Sequence, residues 1–76
     1  MVKPGVYQHY KGAFYRVEGV ARHSETEEAL VVYRPTYGDK GLWVRPLSMF
    51  VEMVKVTDQW RPRFAYIGDE IPQLER

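Results

Sequence analysis

Apolar and polar side chains alternate along much of the chain with the period of two that is typical of half-buried β-strands. The clearest case is segment 14–21, where every second residue from Tyr15 to Ala21 falls on one face, while Arg16 and Glu18 fall on the other. Glycine at position 19 of this segment predicts a bulge or a close backbone approach. The pattern therefore predicts a strand with one buried face.

The same alternation predicts five more short strands, over residues 6–10, 29–34, 42–45, 50–56 and 64–67. A tight hairpin is expected at residues 10–13, because Gly12 can take the positive φ of such a turn. Glycine-rich segment 37–41 and segment 57–59 are predicted turns. Proline begins segment 46–50, which is long enough for one 3₁₀ or helical turn only.

Five or six short strands with no helix longer than one turn predict an all-β fold, specifically a small SH3-like antiparallel barrel of five to six strands with one 3₁₀ turn. There is no internal repeat. We expect a single domain over residues 1–67 and a flexible C-terminal tail over residues 68–76, which are poor in apolar side chains.

The amino-acid composition argues against several classes of function. The 76 residues carry 11 basic and 10 acidic side chains and no cysteine, so the strong basic excess typical of nonspecific nucleic-acid binding is absent, as are disulfides and thiolate metal sites. The longest apolar run, residues 29–33, is far shorter than a membrane span, and the N-terminus has no signal-peptide core. We expect a soluble cytoplasmic protein without membrane attachment.

The most polar segment, residues 22–28, is the first candidate for chemistry. Histidine titrates near neutral pH, so His23 could act as an acid or base, with Glu25 orienting it and Ser24 or Thr26 as the nucleophile. Adjacent side chains of an extended loop diverge, however, and Ser24 with Glu27 fits a capping box. A structural or recognition role is therefore favoured over catalysis.

Metal binding is the second candidate. His9 and His23 could join the carboxylates of Glu25, Glu27 or Glu28 in a zinc or iron site. The two histidines are 14 positions apart with no local spacing signature. We predict no metal and no other cofactor.

A binding surface of aromatic and basic side chains is the third candidate, because rings stack on bases or prolines and guanidinium groups hold phosphate or carboxylate. Its members are Tyr7, Tyr10, Lys11, Tyr33, Arg34, Trp43, Arg45, Trp60, Arg61 and Arg63. Two alternatives stay open. Tyr15 and Phe50, with Trp43, are candidates for the core, and Arg34 and Arg45 could pair with Glu25 or Glu28 instead of with a ligand.

The order of these motifs resembles a bacterial family, domain-of-unknown-function family 1653. The resemblance rests on Gly5, Tyr7, His9, Tyr10, Lys11 and Gly12, then on His23, Ser24, Glu25, Thr26 and Glu28. It continues through Tyr33, Arg34, Trp43, Val44, Arg45, Pro46, Met49, Phe50, Arg63 and Phe64. Pro35 departs from the family pattern, in which a small or apolar residue is expected. The resemblance implies a domain but no assigned activity.

A motif so rich in polar side chains exceeds what packing requires, so we predict a small binding module. Its ligand is a small molecule such as a nucleotide, a nucleic acid or an acidic peptide. The predicted ligand-binding residues are His9, Tyr10, Lys11, His23, Ser24, Glu25, Thr26, Glu28, Tyr33, Arg34, Trp43 and Arg45. The alternative is a small hydrolase or an enzyme-accessory domain in which His23 and Glu25 transfer protons.

Overall fold

Seven β-strands and one helical turn make up the fold in a computed structural model, which describes residues 2–38 and 41–72. In chain order they are β1 (Gly5–His9), β2 (Phe14–Arg22), β3 (Ala29–Pro35), β4 (Trp43–Pro46), α1 (Leu47–Phe50), β5 (Met53–Val56), β6 (Gln59–Pro62) and β7 (Phe64–Gly68). The protein is all-β, as the alternation predicted, and every strand pairing is antiparallel.

Five strands form the main sheet in the order β4-β3-β2-β1-β7. Strands β1 to β4 are neighbours in space in the order in which they follow along the chain, and β7 returns to pair with the free side of β1. Strands β5 and β6 form a separate two-stranded hairpin. Among residues 2–38 and 41–72 the main sheet is open, with β4 and β7 at its edges, so a closed barrel is not what the strands form.

The predicted number of strands was too low because β6 was taken for a connection. Thr57 and Asp58 both have positive φ, 49° and 64°, as the two central residues of a type I′ hairpin turn require. This tight turn sends Gln59–Pro62 back along β5. The sequence did not indicate this short strand, because it contains Pro62 and lacks the alternation of apolar and polar residues that marks a half-buried strand.

Gly19 interrupts the pairing of β2 with β3, as predicted. The register shifts between Val17 and Gly19, so one extra residue of β2 lies at this point. Beyond the bulge Val20 is opposite the buried Val31, whereas Ala21 pairs with Leu30. The prediction that Ala21 shares a face with Tyr15 was therefore wrong, because a one-residue insertion exchanges the two faces of a strand.

The core lies on one face of the main sheet and is closed by α1. Its buried members are Tyr7, Val17, Val31, Tyr33, Phe50 and Phe64, with Val2, Tyr15 and Leu47 packed against them. The single turn of α1 follows Pro46, which serves as its N-terminal cap residue, and places Phe50 on this aromatic face. There the ring of Phe50 contacts the edge of the Tyr7 ring, with 5.2 Å between the centroids. The prediction of one helical turn is thus confirmed.

Two predictions fall partly beyond the residues that the structure describes. Asp39 and Lys40 of the predicted turn at 37–41 lie outside them, as do residues 73–76 of the predicted tail. Over residues 2–38 and 41–72, no helix has the length and apolar character needed to cross a membrane.

Candidate ligand-binding site

An aromatic groove opens at the β4 edge of the core face. Tyr33 on β3 lies opposite Val17 on one side and Trp43 on the other, and directly opposed residues of an antiparallel pair share a face. The groove encloses about 280 Å³. Its lining consists of Tyr15, Tyr33, Pro35, Tyr37, Gly38 and Trp43.

The groove has a buried floor and exposed rims. Tyr33 is 8% exposed, whereas Trp43 and Tyr37 are 59% and 57% exposed. Between them, a side-chain hydrogen bond with Tyr37 is the main cause that raises the pKa of Tyr15 to about 12, with burial as the second cause. Tyr15 is therefore a neutral phenol at physiological pH, and large flat surfaces of Tyr37 and Trp43 face solvent.

Arg45 lies beside this groove and is the cation of the site. It is opposite the buried Val31 in the β3–β4 pairing, so its side chain runs over the core face. Its guanidinium carbon is 5.4 Å from the centroid of the Phe64 ring, a cation–π distance. Its Nε is buried and has no hydrogen-bond partner among the described residues.

Two other arginines of the predicted surface, Arg34 and Arg63, have carboxylate partners. Arg34 forms an ion pair with Glu18, with 2.9 Å between Nε and Oε2, and Arg63 forms one with Glu52, with 3.1 Å between Nη2 and Oε1. Arg34 thus has Glu18 as a partner and does not pair with Glu25 or Glu28. Arg45 makes no ion pair within the described ranges, so the structure does not show the alternative in which these two arginines pair with the polar loop.

His9 packs among rings at the end of the same face. Its ring centroid lies 4.9 Å from that of Phe64 and 4.7 Å from that of Tyr10. The backbone N–H of Lys11 donates to its Nδ1 at 3.1 Å, which requires an unprotonated nitrogen there. Burial lowers the pKa of His9, and the positive charges of Arg63, Arg45 and Lys11 lower it further.

The polar loop at residues 23–28 is built around the His23 ring. Its Nδ1 accepts the backbone N–H groups of Glu25 at 3.1 Å and of Thr26 at 3.3 Å. Glu27 takes a positive φ of 64°, and the hydroxyl of Thr26 accepts the N–H of Glu28. The predicted capping box was wrong: no helix begins here, and within the described ranges the side chain of Ser24 makes no hydrogen bond, because the histidine supplies the acceptor instead.

Apart from Arg34, which pairs with Glu18, the structure divides the predicted ligand-binding residues between two ends of β2. His9, Tyr10, Lys11, Tyr33, Trp43 and Arg45 lie around the aromatic face. His23, Ser24, Glu25, Thr26 and Glu28 follow the last residue of β2, and the nine residues of that strand span roughly 25 Å at about 3.3 Å per residue. His9 and His23 therefore do not share a site. Among the described residues, no group of three or more metal-ligating side chains is close enough to hold one ion.

Sequence reasoning missed part of the groove. Tyr15 was assigned to the core, yet its ring also lines the groove. Tyr37 was assigned to a turn and Pro35 was given no binding role, but both line the groove as well. The sequence contained one indication of this part of the groove, namely Tyr37, an aromatic residue two positions after Pro35. Because a turn's geometry is not encoded by periodicity, the sequence could not show that this ring returns to the sheet.

Comparisons with known proteins agree on one family. The model of the family described as "Protein of unknown function (DUF1653)" matches residues 5–66. The crystal structure of a DUF1653 protein from Bordetella bronchiseptica is similar, with 42% sequence identity, 95% of each chain covered and a TM-score of 0.87. A search of curated proteins gives no significant match.

Proposed function

Since the chain belongs to the DUF1653 family, whose function is unknown, its activity must be argued from its own site, and we propose that it is a binding module for an anionic ligand that carries a planar ring. A nucleotide is the model for such a ligand. In this proposal the rings of Tyr15, Tyr37 and Trp43 in the aromatic groove bind the planar ring of the ligand, and the guanidinium of Arg45 binds its anionic group.

The state of Arg45 is the observation that carries the proposal. A partly buried guanidinium normally forms hydrogen bonds, and leaving a buried donor unsatisfied costs about 1–3 kcal/mol. Arg45 has a buried Nε without an acceptor in the described part of the chain and stacks on Phe64 instead. A ligand phosphate or carboxylate would supply the missing acceptor, in the bidentate geometry that arginine favours.

Surrounding charge supports an anion over a cation. Arg45, Arg63 and Lys11 all act on His9 as positive charges and lower its pKa. Positive potential over a concave surface raises the local concentration of anions and their association rate. In the part of the chain that the structure describes, the one carboxylate that pairs with these cations is Glu52, through Arg63.

Exposed rings support a planar ligand over an acidic peptide. Trp43 and Tyr37 present their surfaces at the rim of the groove. Stacking of a base on an aromatic side chain contributes about 1–3 kcal/mol, and it tolerates any base because every base has a π-face. An acidic peptide would use the arginine and leave these rings largely unused.

The SH3-like interpretation of the fold stays part of the proposal. Four consecutive antiparallel strands, a single helical turn after β4 and a last strand that returns beside β1 support it. The separate β5–β6 hairpin would then be an addition to that plan. We also retain a cytoplasmic location as an expectation from composition.

Titration with adenosine monophosphate, followed by NMR, tests the proposal. We expect amide shifts in residues that line the aromatic groove and in Arg45, and Arg45→Gln should weaken binding by about tenfold to a hundredfold, because a hydrogen bond to a charged group contributes about 1.5–3 kcal/mol. Arg16→Gln is the matched control, since Arg16 lies opposite Arg34 on the other face of the sheet.

Three outcomes would contradict the proposal. The first is the absence of shifts in the groove. The second is equal weakening by Arg45→Gln and Arg16→Gln. The third is binding of inorganic phosphate as tight as that of the nucleotide, which would leave the rings without a role. Circular dichroism of both variants establishes that each is folded.

A further inference from the structure

A second hollow lies next to the aromatic groove. It encloses about 220 Å³ between the β1–β2 turn and the β5–β6 hairpin. Its lining consists of Gln8, His9, Tyr10, Arg61, Pro62 and Ala65. Backbone hydrogen bonds hold its two sides together, because Arg63 accepts from Tyr10 at 2.9 Å and donates to Glu52 at 2.9 Å.

A continuous row of rings joins the groove to this hollow. The centroids of Tyr37 and Tyr15 are 6.5 Å apart, those of Tyr15 and His9 are 6.5 Å apart, and those of His9 and Tyr10 are 4.7 Å apart. Tyr37 and Tyr15 line the groove, while His9 and Tyr10 line the hollow. The contact between Tyr15 and His9 is therefore the boundary between two adjacent ring-lined depressions.

Positive charges accompany the row along its length. Arg45 lies close enough to the groove for its charge to act on Tyr15, the ammonium of Lys11 is 5.9 Å from the Tyr10 centroid, and Arg61 lines the hollow. Within the described ranges, none of these three forms an ion pair with a carboxylate. A ligand with one negatively charged group would need only one of these cations. Three cations along a row of rings match a ligand that carries negatively charged groups at regular intervals.

We infer that the site takes single-stranded nucleic acid, with one base in the aromatic groove, the next nucleotide over the hollow, and successive phosphates beside Arg45, Lys11 and Arg61. This inference rests on the proposed function and specifies the class of ligand that the site binds. Single-strand-binding surfaces combine a basic track with rings on which successive bases stack. In a duplex the bases are already stacked on each other, so the row of rings would find no free base face.

Affinity as a function of ligand length tests the inference. Thymidine monophosphate, its dinucleotide and a longer oligothymidylate are titrated at one salt concentration. We expect the dinucleotide to bind about tenfold tighter than the mononucleotide, equivalent to about 1.4 kcal/mol. The oligonucleotide should show a steeper loss of affinity with salt, because each neutralised phosphate releases counterions.

The outcomes separate the two proposals. If mononucleotide and oligonucleotide bind equally, the inference fails and the proposed function stands. If neither binds, the proposed function fails with it. Binding of duplex DNA as tightly as the single strand, or equally effective competition by a poly-glutamate peptide, would also overturn the inference.

Two variants locate the second position. Tyr10→Ala should reduce the affinity for the oligonucleotide about tenfold and leave the mononucleotide unaffected. Trp60→Ala is its control, because Trp60 is an exposed ring outside the row. Arg61→Gln removes only an exposed cation and keeps the test valid if Tyr10→Ala does not fold. Equal effects of Tyr10→Ala and Trp60→Ala, or of Arg61→Gln on both ligands, would contradict the inference.

Discussion

The ring of Phe50 stacks on the ring of Phe64, with 4.3 Å between the centroids and 2° between the planes. Phe50 comes from the single turn of α1 and Phe64 from the first residue of β7, so the contact joins the segment after β4 to the strand at the opposite edge of the sheet. The guanidinium of Arg45 also lies over the Phe64 ring. The stack therefore supports both the core and the candidate site.

We expect Phe50→Ala to lower the free energy of unfolding by about 3–5 kcal/mol, the usual cost of removing a fully buried aromatic side chain. Phe50 is 1% exposed. For a domain of this size, that loss is about a third of the total stability or more, since folded proteins retain roughly 0.05–0.15 kcal/mol per residue. Urea unfolding measured by circular dichroism checks the effect.

Met49→Ala is the matched control, because Met49 lies in the same helical turn but is 46% exposed. Its expected cost is within about 0.5 kcal/mol. Comparable losses in Met49→Ala and Phe50→Ala would show that the turn itself, and not the stacked ring, provides the stability.

Most strands could be predicted because their side chains alternate and their turns contain glycine. The alternation from Tyr15 to Val17 and the hairpin at Gly12 are local signals, and both are present in the structure. The hairpin of β5 and β6 was missed because its turn uses Thr57 and Asp58 at positive φ, which residue type does not reveal. The open sheet could not be predicted, since closure depends on twist and edge pairing over the whole chain.

His23→Ala should destabilise the loop at residues 23–28, whereas Ser24→Ala should leave it unchanged within about 0.5 kcal/mol. The imidazole accepts two backbone N–H groups, and loss of such bonds costs about 1 kcal/mol. Amide hydrogen exchange of Glu25 and Thr26 is the direct measurement, and it should accelerate in His23→Ala alone. Faster exchange in Ser24→Ala would instead support the capping box that was predicted from the sequence.

The composition of the candidate site was easier to predict than its layout. Aromatic and basic residue types identified Trp43 and Arg45 from the sequence, and both lie at the aromatic face. The loop with His23 was added to the same site because it is the most polar segment. Only the length and direction of β2 separate the two groups, and these follow from the pairing of β2 with β1 and β3.

His9 should make the protein less stable as the pH falls below 6.5, the ordinary pKa of histidine. Burial lowers the pKa of His9 in the folded state, with Arg63, Arg45 and Lys11 adding to the effect, so the unfolded chain binds a proton more readily. Its contribution to the free energy of unfolding is therefore complete above pH 6.5 and is lost as the pH falls through the lower folded-state pKa. Protonation also removes the acceptor for the N–H of Lys11.

Urea unfolding at a series of pH values between about 5 and 7.5, around the histidine range, measures this loss, and His9→Phe is the control that keeps a ring and removes the titration. The difference between the two pH profiles isolates His9, because all other side chains are the same in both proteins. We expect the wild type to lose stability more steeply than His9→Phe below pH 6.5, and the His9 ring signals in NMR to titrate with a midpoint below that value. A midpoint at or above 6.5, or parallel profiles, would mean that the ring cluster and the nearby cations leave His9 as easily protonated as in the unfolded chain.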